Sequence, residues 1–280
     1  MVRTTPKAVA LGAELRAARE RAGFGLREFA KRLGIDHSKL SRTESGERPP
    51  EPELTAEILT NLGVVGSEFE RIVDMARITD DSVWVAVSLP DQQSQLSALL
   101  SFEQMATRLT SVSPLLVPGL LQTGGYARAI MRGGRVPQQE IEIRVATRLG
   151  RRDVLMRDDP VRFTAFIGVA AMRGGIGGPS AMVEQLNHLL KMAEWPNITL
   201  HAIPEAAGWH PGLEGEFLVI DTPAMSVVHV ENRLSGLFYQ ETTDVTAYQE
   251  AVDQVLSVAL GPSETVELIA GEVDRIKESE

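Results

Sequence analysis

Leu26-Arg-Glu-Phe-Ala-Lys-Arg-Leu-Gly-Ile-Asp-His-Ser-Lys-Leu-Ser-Arg-Thr-Glu44 reads as two short helices joined by a tight turn. Leu26, Phe29, Ala30 and Leu33 recur at helical spacing, and Gly34 ends the run. Ala30 is small enough for two helices to approach closely, and Gly34 tolerates the left-handed backbone that a sharp turn needs. Asp36 is a good N-cap for the second helix. Ile35 and Leu40 fill the space between the two. A pair of helices crossing at a wide angle, with the second free to enter a major groove, is the helix-turn-helix arrangement.

The exposed positions expected on that second helix are His37, Ser38, Lys39, Ser41 and Arg42, all of them hydrogen-bond donors. Arg42 can pair with guanine O6 and N7. Arg27 and Arg48 flank the helix and suit phosphates, while Lys39 and Ser41 fit either role. Double-stranded DNA is therefore the expected partner. The competing reading is a helical protein-binding domain with a solvated basic face, and the joint pattern favours DNA. Further helices surround the pair. Leu11, Leu15, Ala18 and Ala22 mark one before it. Pro52 opens another whose apolar face is Leu54, Ile58, Leu59 and Leu62, and Ser67, with Glu70 behind it, can cap a fifth.

Charge follows the same division. The 280 residues carry a net charge of −10, yet residues 1–50 hold 11 Lys+Arg against 6 Asp+Glu. A basic head on an acidic body is the asymmetry of a small DNA reader attached to another domain. There is no cysteine, so disulfide and thiolate chemistry are excluded. No apolar run approaches the ~20 residues of a membrane span, and Met1–Lys7 lacks the apolar core of a signal peptide. The expected location is the cytoplasm, with no membrane partner.

Three segments are expected: an all-α five-helix domain over 1–77, a connector over 78–95, and an α+β domain over 96–280 with a small sheet and packed helices. The connector's apolar patch, Val83-Trp-Val-Ala-Val87, is expected to pack on the second domain. There, periodicity suggests helices over 96–109, 123–132, 137–157, 179–194, 243–259 and 262–278. Strands are suggested over 161–167, 197–203, 215–220 and 226–231.

Chemistry is sparse in the second domain. His188, His201, His210, His229, Glu216 and Glu231 have no metal-ligand spacing, and no Gly-x-Ser-x-Gly elbow occurs. Gly174–Pro179 matches neither phosphate-loop pattern and reads as a turn. The expectation is no metal, no cofactor and no enzymatic activity. A pocket for a ligand or peptide is the remaining possibility. Gln122 and Tyr126 would share a face if 120–126 were helical, and Trp209 and His210 would form a second wall. The alternative for Gln122 and Tyr126 is a helix cap plus core packing.

Residues 10–77 resemble the Cro/repressor (XRE) type of helix-turn-helix domain through Ala30, Gly34-Ile35, Leu40-Ser41-Arg42, Glu44 and Gly46. That resemblance implies five helices and maps His37, Ser38 and Arg42 onto base-reading positions. Residues 96–275 resemble the C-terminal domain of Scr1-type antitoxin-like regulators of actinomycetes. The carrying stretches are Val117–Thr123 with Tyr126, Arg144–Leu155, Gly175–Gly178, Gln185–Leu189, Ala207–Phe217 and Val230-Glu231. Val169 and Arg152 depart from the pattern, which has a glutamate and a glutamine there. This second resemblance implies transcriptional control with a small protein encoded nearby, and adds Glu231 to the pocket candidates. Together these readings describe a homodimeric DNA-binding regulator whose C-terminal domain senses a small protein or a small-molecule effector. The alternatives are that this domain is purely a dimerisation scaffold, or a cryptic enzyme.

Overall fold

The computed structural model describes residues 4–77, 83–86, 89–232 and 235–279. Five helices come first: α1 (Pro6–Arg21), α2 (Leu26–Arg32), α3 (His37–Glu44), α4 (Pro52–Asn61) and α5 (Gly66–Arg77). Then follow β1 (Val83–Ala86), α6 (Leu89–Met105), β2 (Arg108–Ser113), α7 (Gly124–Gly133), α8 (Gln138–Gly150), β3 (Arg162–Gly168), α9 (Val169–Arg173) and α10 (Pro179–Ala193). The chain ends with β4 (Ile198–Ile203), β5 (Phe217–Asp221), β6 (Ser226–Glu231), β7 (Gly236–Tyr239), α11 (Thr242–Val258) and α12 (Pro262–Glu278). An all-α head is thus followed by an α+β body, as the patterning predicts.

Two compact units result. One contains residues 1–105 and 223–244, the other 106–222 and 245–280. In the first, Leu11, Leu15, Phe29, Ala30, Leu40, Ile58, Leu59 and Ile72 form one core, with Ile35 packed on it. Each helix start has a local cause. Thr5 caps α1 by accepting the Ala8 N–H at 3.1 Å, and Pro6 and Pro52 occupy first-turn positions where no N–H is needed. α5 begins at Gly66, so Ser67 lies inside its first turn rather than ahead of it. α1 packs on α3, α4, α5 and also on α6. β7 pairs antiparallel with β1 (Val83 opposite Tyr239) and with β6 (Val228 opposite Tyr239). Residues 78–82 and 87–88 of the expected connector lie outside the described residues.

In the second unit, β2, β3 and β4 run parallel and β5 pairs antiparallel with β2. Helical crossovers join the parallel strands, as parallel pairing requires. Val112 stands opposite Phe217, Ser113 opposite Ile167 and Gly168 opposite Ile203, so all four strands meet the same end of the sheet. α12 packs on α10 and β4, and its Thr265 hydroxyl accepts the Ala202 N–H at 2.8 Å. Three details differ from expectation. The helix expected over 96–109 runs instead from Leu89 to Met105, and β2 follows it directly. The helix expected over 137–157 tightens into a 3-10 turn at Arg151–Leu155. β7 and the short α9 have no counterpart in the sequence pattern.

Candidate nucleic-acid interface

α3 is set by its two ends. At its start the Asp36 carboxylate accepts the Ser38 N–H at 2.8 Å, and this bond holds the Asp36 carboxyl below the usual range. Gly34, at φ 68°, supplies the left-handed turn ahead of it. At its last turn Glu44 is buried and meets Arg19 of α1 in a two-point ion pair. Arg19 Nε donates to Oε1 at 2.7 Å and Nη2 to Oε2 at 2.8 Å, and Nη1 donates to the Phe24 carbonyl at 2.7 Å. Hydrogen bonding to Glu44 raises the Arg19 pKa further above its already high value. Arg16 adds a longer contact to Glu44 at 3.6 Å.

Backbones also meet closely here. A Cβ on Gly12 of α1 would lie 2.6 Å from the Glu44 carbonyl oxygen. Gly46, at φ 76°, would place a Cβ 2.6 Å from the Val9 Cα. α1 is thus pressed onto the end of α3 by glycine on both sides and bolted there by a buried ion pair. The sequence reading used Glu44 and Gly46 only as matching residues and missed this clamp. The available signal was Arg19 itself, a charge next to Ala18 on the apolar face of α1.

The opposite face of α3 is open. His37, Ser41 and Arg42 are exposed, Ser38 and Lys39 half-buried, whereas Leu40, Thr43 and Glu44 are buried. The turn after α3 carries Arg48 beside it, since the Arg48 N–H donates to the Arg42 carbonyl at 3.0 Å. Arg27 is exposed on α2. The seven residues proposed from sequence therefore lie on α3, on the helix before it and on the turn after it. Arg32, also exposed on α2, instead sits over the Phe24 ring at 5.0 Å. Such a convex, donor-rich helix with flanking guanidinium groups can reach base edges and phosphates together.

The residues singled out in the body fall in different places. Gln122 and Tyr126 do not share a helix face: Gln122 is extended, and α7 starts after it with Thr123 as its cap. They converge all the same on Val117. Its N–H donates to the Tyr126 hydroxyl at 3.2 Å, and its carbonyl accepts Gln122 Nε2 at 2.7 Å. Arg148 donates to Gln122 Oε1 at 3.0 Å, and Gln185 bonds both the Thr123 N–H and the Leu121 carbonyl. Burial raises the Tyr126 pKa. These side chains brace the 117–123 segment. Trp209 is exposed, and His210 beside it is buried, with burial lowering its pKa and Nδ1 lacking a protein partner. Glu231 is exposed at the end of β6, in the other unit.

The remaining histidines have structural surroundings. His201 meets the Leu260 carbonyl at 2.9 Å and stacks on Phe166, and His229 packs against Phe238. Among the described residues, no three His, Asp or Glu side chains are grouped so as to hold a metal ion. Nor is any helix among them long and apolar enough to cross a membrane.

Residues 10–72 match a family of helix-turn-helix domains, and α2, α3 and the turn between them lie within the matched stretch. The head of the chain is thus a helix-turn-helix domain, which supports DNA as its partner. Residues 96–271, well over half of the chain, match DUF5753, a domain of unknown function, and the chain belongs to that family. Among solved structures, the archaeal chromatin protein TrmBL2, described as having a novel mode of DNA binding, aligns over 85% of this chain and 88% of its own. The identity is 10% and the TM-score 0.33. No curated protein matches the sequence.

Proposed function

We propose that this protein is a cytoplasmic, homodimeric transcriptional regulator of the Cro/repressor (XRE) type. Its body is a Scr1-type antitoxin-like domain that senses a small protein or small-molecule effector and performs no catalysis. The observation that carries the reading is the open face of α3, where His37, Ser38, Lys39, Ser41 and Arg42 stand between Arg27 and Arg48. The dimer follows from information content. One helix-turn-helix reads a few base pairs, too few to select one site among the ~10⁶ or more competitors in a genome. The sensing role is supported by the size of the body and by the residue matches at 117–126, 144–155 and 207–217.

A genome-wide pull-down with the full chain, followed by gel shifts on the recovered sites, tests it. Arg42→Ala should lower affinity for the recovered site by about 1–3 kcal/mol, the worth of a bidentate guanine contact, and leave non-specific binding nearly unchanged. Equal loss on both kinds of DNA would remove Arg42 from the base readers. Recovery of no preferred sequence would end the regulatory reading.

A further inference from the structure

The end of the sheet at which β2, β3 and β4 finish carries an unusual surface. Open sheets with parallel strands commonly bind at the carboxyl ends of those strands, because the connecting loops gather there. Here the β4–β5 connection, residues 204–216, folds back onto β2: a Cβ on Gly212 would lie 3.1 Å from Val112 Cγ1. The turn is held by the Leu213 N–H donating to the His210 carbonyl at 3.0 Å, and His210 is buried beneath it. On this anchored turn Trp209 is 68% and Leu213 60% exposed, and Leu115, three residues beyond Val112, is 71% exposed. Three large apolar side chains held open on a fixed backbone cost little ordering on binding. Tryptophan is the residue most enriched among those that dominate binding energy.

Charge indicates what would cover them. From 192 to 232 the sequence contains no lysine or arginine. Glu214 and Glu216 are exposed beside Leu213, and Glu205 lies at the start of the same connection, 3.0 Å from Arg173. A second copy turned onto this patch by a twofold axis would set Glu214 and Glu216 near their own equivalents, a repulsive arrangement. A partner carrying cations beside apolar anchors would meet attraction instead.

We propose that this edge, formed by Leu115, Trp209 and Leu213 and bordered by Glu214 and Glu216, docks a basic amphipathic segment of a partner protein. The proposal deepens the sensing role above and rests on it.

The test uses the full chain and two labelled synthetic peptides, an amphipathic Leu/Lys helix and its Leu/Glu counterpart, read by fluorescence anisotropy. The Leu/Lys peptide should bind about tenfold or more tightly than the Leu/Glu peptide. Trp209→Ser with Leu213→Ser should cost about tenfold or more at unchanged melting temperature, because both side chains are already in water. Glu214→Lys with Glu216→Lys should reverse the preference. Failure of the Leu/Lys peptide to bind, or equal binding by the Trp209→Ser/Leu213→Ser variant, would overturn the proposal. So would a wild-type dimer that this variant converts to monomer, since the surface would then belong to a second copy. DNA selection is measured separately. Site-specific DNA binding without peptide docking ends this proposal alone, whereas docking without DNA selection ends the regulatory reading.

Discussion

Gly46 bears two constraints at once. Its φ of 76° is in the left-handed region, and the space where a side chain would start is occupied by the Val9 backbone. The first alone costs about 1–2 kcal/mol for any other residue, and the second demands that α1 and α3 separate. Gly46→Ala should therefore lower the melting temperature by at least about 2–4 °C for each kcal/mol lost, which a calorimetric scan would read. An unchanged scan would mean that α1 does not press on this turn. His188 makes a different kind of statement. Burial, then the nearby charges of Arg152 and Lys191, push its pKa down to about 4. An unfolded chain would take up that proton near pH 6.5, whereas the folded chain does not. The contribution of neutral His188 is thus fully present above about pH 6.5 and is lost as pH falls towards 4, at no more than about 1.4 kcal/mol per pH unit. Urea midpoints of the wild type should fall faster over this window than those of His188→Gln. Parallel curves would show His188 to be solvated.

Between α1 and α3, the Arg19–Glu44 pair is the buried ionic link, beside apolar packing and the longer, exposed contact from Arg16. Both side chains are buried, so removing one strands the charge of the other. Glu44→Gln should cost about 3–5 kcal/mol, whereas replacing both residues by methionine should cost much less, because no charge is then left unpaired. Urea denaturation of the three proteins decides this, and a double variant that loses as much as Glu44→Gln would show that no stranded charge is involved. The same comparison explains what could be read in advance. The helices of the head were legible because caps, glycines and apolar spacing agree, from Leu11 and Leu15 to Gly34, Asp36 and Pro52. The clamp was not, because its partners stand 25 residues apart in sequence. β2 was hidden by chemistry: Ser111 and Ser113 are buried, so polar residues occupy positions where alternation requires apolar ones. With α6 ending just ahead of it, Arg108 and Leu109 read as the tail of a helix, and 110–113 carried no expectation of a strand. Gln122 and Tyr126 do not share the helix face expected of them. An extended residue ahead of a Thr123 cap, rather than a helix turn, brings both to Val117.

For the whole molecule, two heads reading one duplex should meet the same side of it. The recovered site should then be an inverted repeat with half-site centres about 10–10.5 base pairs apart, or a multiple of that. Sedimentation of the full chain should give a dimer, alone or on that site. A monomer on a single unrepeated half-site would overturn the arrangement. The path of the chain carries a further consequence. The unit that holds the helix-turn-helix is completed only when residues 223–244 return to it, after the stretch 106–222 that belongs to the other unit. During synthesis at roughly 5–20 residues per second, β1 waits on the order of ten seconds for β7 to emerge and pair with it. A chain interrupted within that interval has a complete α3 but an unpaired β1, a ready template for aggregation. Such an interrupted chain would already carry every proposed base-reading residue.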